Sequence, residues 1–420
     1  MADTAPHPEL SDPHAESTDT ASTGAPQSPD VRTLEAPATE PFEGVADRFV
    51  MPQPDFINPD VNLPKTMRAI VAYAPGDYRL ETVEVPRAGP DDIIIEVEAC
   101  GICAGDIKAF QGAQSFWGGG GQSRYIKAPM IPGHEFIGRA VEIGENVAKK
   151  GEFKLGDRLI SEQIVPCEEC RFCRRGEYWM CERHDVYGFQ NNVNGAMAKY
   201  MRFPWNSRTH QIPQDAPIEK VILVEPYACS VHAVNRGKIE FDDVVVLAGA
   251  GPLGLGMVGA AKLKNPKTLI VLDTKPDRLE MAKQFGADLV LNPMTDDVVK
   301  IVKDMTDGYG CDVYIEATGH PSSVVQGLDM IRKLGRFVEF SVFGQDVTVD
   351  WSIISDRKEL DLFGAHLGPY CYPFTIDAVS DGRLPTDGVV THSLKMSEYQ
   401  TGFDLMKKGE KSIKILLIPD

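Results

Sequence analysis

Residues 244–264 read VVVLAGAGPLGLGMVGAAKLK, and this stretch decides how the chain is organised. A short apolar run leads straight into Gly249-Ala250-Gly251-Pro252-Leu253-Gly254 and then into a small-residue segment that reads as a helix. The first glycine permits a tight turn, the second lets backbone approach a pyrophosphate, and the third packs helix against strand. Pro252 and Leu253 fill the turn between them and count with the glycines as cofactor-binding positions. A bare GxGxxG is common by chance; the strand before it and the helix after it point to dinucleotide binding. Working outward, TLIVLD (268–273), a helix through PDRLEMAKQFG (276–286), DLVLNP (288–293), a helix at VVKIVKDMT (298–306) and CDVYIEATG (311–319) continue the alternation. Strands and helices at this spacing make a parallel sheet wound on both faces. Asp273 closes the second strand, where a carboxylate accepts hydrogen bonds from a ribose diol and repels a 2′-phosphate, which favours NAD over NADP. Arg278 complicates that choice; it flanks the adenine or is a solvated helix residue.

Upstream the period changes. MRAIVAYAP (67–75), YRLETVEVP (78–86) and DIIIEVEACGIC (92–103) are β-rich and punctuated by Pro and Gly. The closing KMSEYQTGFDLMKKGEKSIKILLIP (395–419) holds one amphipathic helix and a final strand that should return to the first domain. The fold class expected is α/β: a β-rich catalytic domain plus a doubly wound parallel-sheet domain. The boundaries expected are a flexible acidic extension over 1–62, the first part of the β-rich domain over 63–230, a nucleotide-binding domain over 231–385 and a return segment to the β-rich domain over 386–420.

The chain has 420 residues with 43 Lys and Arg against 61 Asp and Glu, a formal charge of −18. Residues 1–60 carry two Arg against twelve Asp or Glu, and ten Pro, too few large apolar groups to offset ordering entropy. Phe49, Val50, Phe56 and Ile57 are the residues able to pin its last part. The acidic balance, and the lack of a basic stripe with aromatics, argue against a nucleic-acid partner. No run of about 18 apolar residues suggests a membrane span. The start, MADTAPHPEL, has neither the basic nor the apolar character of a secretory signal, and nine cysteines are an odd count, so reduced thiols in the cytoplasm are expected.

Four cysteines fall as C-x2-C-x2-C-x7-C in PCEECRFCRRGEYWMC: Cys167, Cys170, Cys173 and Cys181. Four soft thiolates in a compact loop suit one tetrahedral zinc, with no open position and hence a structural role. A second zinc site is suggested by dispersed pieces: Cys103 ending EACGIC, His134-Glu135 after IPG, and Glu225 inside the apolar LVEPYACSVHAV. A thiolate, an imidazole and a carboxylate leave a coordination position for water or substrate, as catalytic zinc requires. Taken singly, the pieces read more readily as a core thiol, a hydrogen-bonded histidine and a helix-start acid, and only together with the cofactor motif do they point to a site.

Together these motifs resemble the zinc-dependent medium-chain alcohol dehydrogenases over residues 65–420. EACGICAGD (98–106), IPGHEFIGRAVEIG (131–144), GDRLISEQIVPCEECRFCRRGEYWMC (156–181) and VEPYACSVHAV (224–234) look most like the polyol branch that includes sorbitol dehydrogenases. KAFQGAQSFWG (108–118), SEQIVPC, GYGCDVYIEATGH (308–320) and FGQDVTVDWSIISDRKELDLFGAHLGPYCYP (343–373) are similar to bacterial erythritol/L-threitol dehydrogenases. The resemblance implies a GroES-like catalytic domain, a Rossmann domain, and NAD-dependent oxidation of a secondary alcohol in a small polyol. It implies a catalytic zinc on Cys103, His134 and Glu135, with Glu225 binding the metal or its water, and a structural zinc on the four clustered cysteines. Thr318, Gly319, Val342 and Phe343 match strand ends on the nicotinamide side, and a homodimer or homotetramer is implied. One departure stands out: the Ser or Thr of the family's proton relay is here Gly105. By motif position Lys108 and Tyr187 are replacement candidates, whereas Asp106 reads as an acid organising the site. Phe116-Trp117 before GGGG reads as either a mobile bulky tip over the cleft or an anchored turn. The competing readings are dehydrogenation of xylitol, sorbitol or butanediol, and a catalytically silent NAD-binding protein.

Overall fold

A computed structural model describes residues 44–55, 61–409 and 411–420. Most of the acidic extension, with Phe56 and Ile57, lies outside them. Of the other two anchors Phe49 is buried and Val50 exposed; the Phe49 N–H donates to the Tyr73 hydroxyl at 3.2 Å.

The first strands are β1 (Thr66–Ala74) and β2 (Asp77–Glu84), an antiparallel pair, followed by β3 (Ile93–Gly101), β4 (Glu135–Ile143), β5 (Arg158–Ser161), β6 (Tyr200–Phe203) and β7 (Thr209–Gln211). Then come β8 (Val244–Ala248), β9 (Thr268–Leu272), β10 (Leu289–Leu291), β11 (Cys311–Glu316), β12 (Ile331–Glu339) and β13 (Asp361–Gly364), and finally β14 (Val390–Lys395) and β15 (Lys414–Ile418). Strands β8 to β13 form one parallel sheet in the order β10-β9-β8-β11-β12-β13. This is the doubly wound order, and its direction reverses between β8 and β11, which opens a crevice beyond their carboxyl ends. The glycine turn is built for that place. Gly249 has φ +103°, and a Cβ there would sit 2.7 Å from the Ala317 carbonyl oxygen. A Cβ on Gly254 would lie 1.9 Å from the Gly249 carbonyl oxygen, so only glycine lets the helix Pro252–Leu263 start so close to the strand.

The second sheet is mixed, in the order β14-β15-β3-β4-β5-β7, with β6 also paired to β3. The C-terminal strand β15 pairs antiparallel with β3 at Cys100 and Gly101. The helix Val224–Arg236 is buried over most of its length. Its Tyr227 and Val231 pack with Ile137 and Leu416 of the mixed sheet and Val245 and Leu247 of the parallel one, a shared apolar core that joins the two. Among the described residues no helix is long and apolar enough to cross a membrane.

Candidate active site

Cys103 lies just past β3 and caps the helix Ala104–Phe110. Its Sγ accepts from the Gly105 N–H at 3.4 Å, and its own N–H donates to Asp106 Oδ2 at 2.9 Å. β4 runs antiparallel to β3 with Glu135 opposite Gly101, so pairing carries His134 and Glu135 to Cys103. One donor atom from each of the three lies within 4.8 Å of the others. A Cβ on Gly101 would sit 2.2 Å from Glu135 Oε2, so the absent side chain is the room the carboxylate occupies.

Three further groups tune this cluster. Lys414, buried at the start of β15, donates to Glu135 Oε1 at 2.6 Å and Oε2 at 2.5 Å, and to the Ile102 carbonyl at 3.2 Å. Burial alone would pull its pKa down, but the Glu135 carboxylate more than offsets this and holds it up. Asp106 Oδ1 stands 3.7 Å from His134 Nδ1, and both atoms are buried without a hydrogen bond. A metal on His134 Nε2 would fix the proton on Nδ1, facing Asp106, which is the usual outer-shell support of a metal-binding imidazole. Burial, then the Glu135 charge, push the Cys103 thiol well above its ordinary value, which the Lys414 charge offsets in part. One thiolate, one imidazole and one carboxylate in this arrangement fit zinc with a position left open.

Glu225 is not among the three converging groups. Buried in the first turn of the helix Val224–Arg236, it accepts from Gln163 Nε2 and, at 3.7 Å, from the Cys229 thiol. Burial first, then the Glu135 charge, push it up to about 8.

The four lobe cysteines also converge within 4.8 Å, with Cys170 and Cys173 sulfurs 3.5 Å apart. The Cys167 N–H points at Cys181 Sγ and the Cys170 N–H at Cys167 Sγ, each at 3.3 Å. Backbone N–H groups thus line the cluster, which fits a closed four-thiolate zinc.

At the switch point a cavity of about 370 Å³ is lined by Gly249, Gly251, Asp273, Arg278 and Thr318. Asp273 accepts from the Ala250 N–H at 2.8 Å and the Lys275 N–H at 2.9 Å, which locks the carboxylate at the rim. The Thr318 hydroxyl donates to the buried Glu316. Lys108 Nζ donates to the Val342 carbonyl at 2.6 Å, linking the helix after Cys103 to the loop holding Val342 and Phe343.

The chain matches the alcohol dehydrogenase GroES-like domain over residues 89–214 and the zinc-binding dehydrogenase model over residues 252–381. It is 52% identical to the erythritol/L-threitol dehydrogenase of Mycolicibacterium smegmatis, covering 85% of this chain and 99% of that one. The chain is a zinc-binding alcohol dehydrogenase. Two solved structures are similar in fold: a zinc-binding dehydrogenase of Sinorhizobium meliloti bound to NADP (TM-score 0.76, 26% identity, covering 85% of this chain and 100% of that one) and a structure described as a short chain alcohol dehydrogenase of Escherichia coli complexed with NADH (TM-score 0.75, 25% identity, covering 84% and 100%).

As a zinc-binding alcohol dehydrogenase the chain is an oxidoreductase acting on CH–OH groups. Its sequence hid several residues that shape the site. Lys414 was detectable as the single cation opening the apolar run KILLI, a charge that burial obliges to find a partner. Gln163 carried no such signal: it donates to Glu225 and accepts from Tyr372 Oη at 2.9 Å. Phe189 stands 5.3 Å from His134 between ring centroids and stacks on Phe116 at 5.2 Å. Trp117 is buried with its indole N–H on the Ala109 carbonyl at 2.7 Å, so the aromatic pair is an anchored turn and not a swinging tip. Tyr187 is core: its hydroxyl pairs with Ser207 at 2.7 Å and its ring packs on Phe136. Gly105 has space, since a Cβ there would make only ordinary contacts at 3.8 Å to Cys103 Sγ and 3.9 Å to His134 Cε1.

Proposed function

We propose that the protein oxidises a secondary alcohol of a small polyol, erythritol or threitol first, to erythrulose with hydride transfer to NAD. The convergence of Cys103, His134 and Glu135 carries this reading, with Lys108 linking the helix after Cys103 to the nucleotide side. The 52% identity to an erythritol/L-threitol dehydrogenase supports the four-carbon substrate. Cys103, His134 and Glu135 would hold zinc, which would supply Lewis acidity to the substrate hydroxyl, and the crevice would hold NAD as the hydride acceptor.

The chain's own groups do the rest. Lys414 neutralises Glu135 and holds its carboxylate against Gly101. Asp106 faces His134 Nδ1 at 3.7 Å, from where it would orient a metal-bound imidazole. With no hydroxyl at Gly105, the proton leaving the substrate needs another acceptor. Lys108 is the half-buried amine beside the cleft, and burial lowers its pKa toward the working range of a proton carrier. Asp273 at the rim would meet a 2′-phosphate with like charge, which favours NAD, with Arg278 flanking the adenine side. Phe189 and Phe116 give the substrate an apolar wall. Assembly as a homodimer or homotetramer fits the family, and β13 leaves one edge of the parallel sheet unpaired among the described residues.

The test is NADH formation with erythritol, D-threitol, L-threitol, xylitol and sorbitol, with NAD and with NADP, before and after chelation. Chelator-sensitive turnover of four-carbon polyols with NAD is expected. Turnover mainly of xylitol or sorbitol would sink the tetritol assignment while leaving the mechanism. Bound zinc and NAD without turnover on any polyol would point to Gly105 and to a silent binder.

A further inference from the structure

Two imidazoles outside the active site converge on one point. His184 follows the last lobe cysteine in left-handed backbone (φ 49°), and His366 follows β13 in GAHLGPY. Their Nε2 atoms are 3.0 Å apart while the ring centroids are 4.9 Å apart with planes 22° from parallel. The rings therefore lean together at their Nε2 ends. Among the described residues neither ring makes any other hydrogen bond, and His366 reaches solvent.

Metal–imidazole bonds are about 2.0–2.1 Å, which places two nitrogens about 2.9 Å apart at a right angle and about 3.3 Å apart in a tetrahedron. The observed spacing matches adjacent positions on a tetragonal ion such as Ni²⁺ and needs to open by only a few tenths of an ångström for Zn²⁺. We propose that His184 and His366 form a third, exchangeable site for a divalent transition-metal ion, completed by water, which staples the cysteine lobe to the segment after β13. Among the described residues no hydrogen bond besides the Nε2–Nε2 contact itself engages either ring. Desolvation, then the neighbouring His184 and His232, hold His366 below the usual imidazole range. Asp185 is the one carboxylate acting on His184, whose ring also faces Tyr125; Arg236 acts on His232. Occupancy ties together two parts of the chain that are separate in sequence, so turnover should slow as the site fills.

The experiment is equilibrium dialysis of the holoenzyme against Ni²⁺ and, separately, Zn²⁺, with uptake counted above the measured resident metal and released zinc assayed in parallel. This count does not depend on which polyol the enzyme takes. One further equivalent is expected in the micromolar range, with turnover falling over the same concentrations. His184→Asn, whose side chain tolerates left-handed backbone, and His366→Phe, which keeps the ring stacking, should each weaken it at least about tenfold. No further equivalent, nickel taken up only in exchange for released zinc, or unchanged affinity in both variants would overturn the proposal.

Discussion

The cysteine lobe and the Cys103 cluster both gather metal ligands, but by opposite physical means. In the lobe the ligands come from one short loop and backbone N–H groups point at their sulfurs. The Cys173 and Glu182 backbone N–H groups draw the Cys170 thiol down to about 6, while burial and its thiol neighbours push Cys173 up to about 12. Negative charge is thus partly accommodated by the loop itself. Around Cys103 the donors come from β3 and β4, with Lys414 of β15 beneath them. Burial and neighbouring carboxylates oppose ionisation of Cys103, and compensation comes from a lysine on a distant strand. The lobe is a local device for holding an ion; the cluster is a tertiary device for holding it unevenly, with room for substrate.

This contrast predicts unequal responses to substitution. Cys103→Ser should lower kcat/KM at least about 10³-fold, roughly 4 kcal/mol of barrier, with an unchanged circular dichroism spectrum and melting temperature within a few degrees. Cys173→Ser should do the reverse, reducing stability on the order of 4 kcal/mol in denaturant melts while the surviving folded fraction turns over. A Cys173 variant that melts like the parent would end the contrast.

Lys414→Met tests whether the distant cation matters to the metal. It removes the donor that positions both Glu135 oxygens and leaves that carboxylate unpaired whenever the metal is absent, so zinc affinity in chelator competition should fall by about 10–100-fold and metal-free stability by about 3 kcal/mol. Unaltered zinc affinity would show that Glu135 needs no partner.

A half-buried acid without a role in either cluster separates burial from ligation. Glu339 ends β12 beside Glu316 of β11, and burial followed by the Glu316 charge pushes it up to about 8. Between its ordinary value near 4.5 and about 8 the folded state holds a proton that the unfolded state has lost, so stability falls as pH rises through that window. Glu339→Gln, whose amide oxygen can still accept the Ser341 N–H, should be more stable than the parent at pH 8.5 by on the order of 1 kcal/mol after solvent screening. The two proteins should melt alike near pH 4.5. A constant offset across pH would refute the assignment.

The smallest effect is expected at Gly105. Gly105→Ser fits without displacing Cys103 or His134 and restores a hydroxyl beside the cluster. The pH profile of kcat should shift while KM changes less than about threefold. An identical profile would mean that the proton leaves by Lys108 regardless of a hydroxyl there.

What could be read without coordinates follows how far apart the cooperating residues lie. GAGPLG, the strand–helix alternation around it and the four lobe cysteines declare themselves because turn sterics and tetrahedral ligation act over a few neighbouring residues. Phe116-Trp117 and Tyr187 show the limit: local sequence marks an aromatic, but packing decides whether it anchors, swings or fills core. The pairing of Glu135 with Gly101 and Lys414, the facing of Asp106 and His134, and the Gln163 hold on Glu225 are decided only by tertiary structure. They depend on strand register and on desolvation, and a buried charge is made tolerable by whichever partner the fold brings near, however distant in the chain.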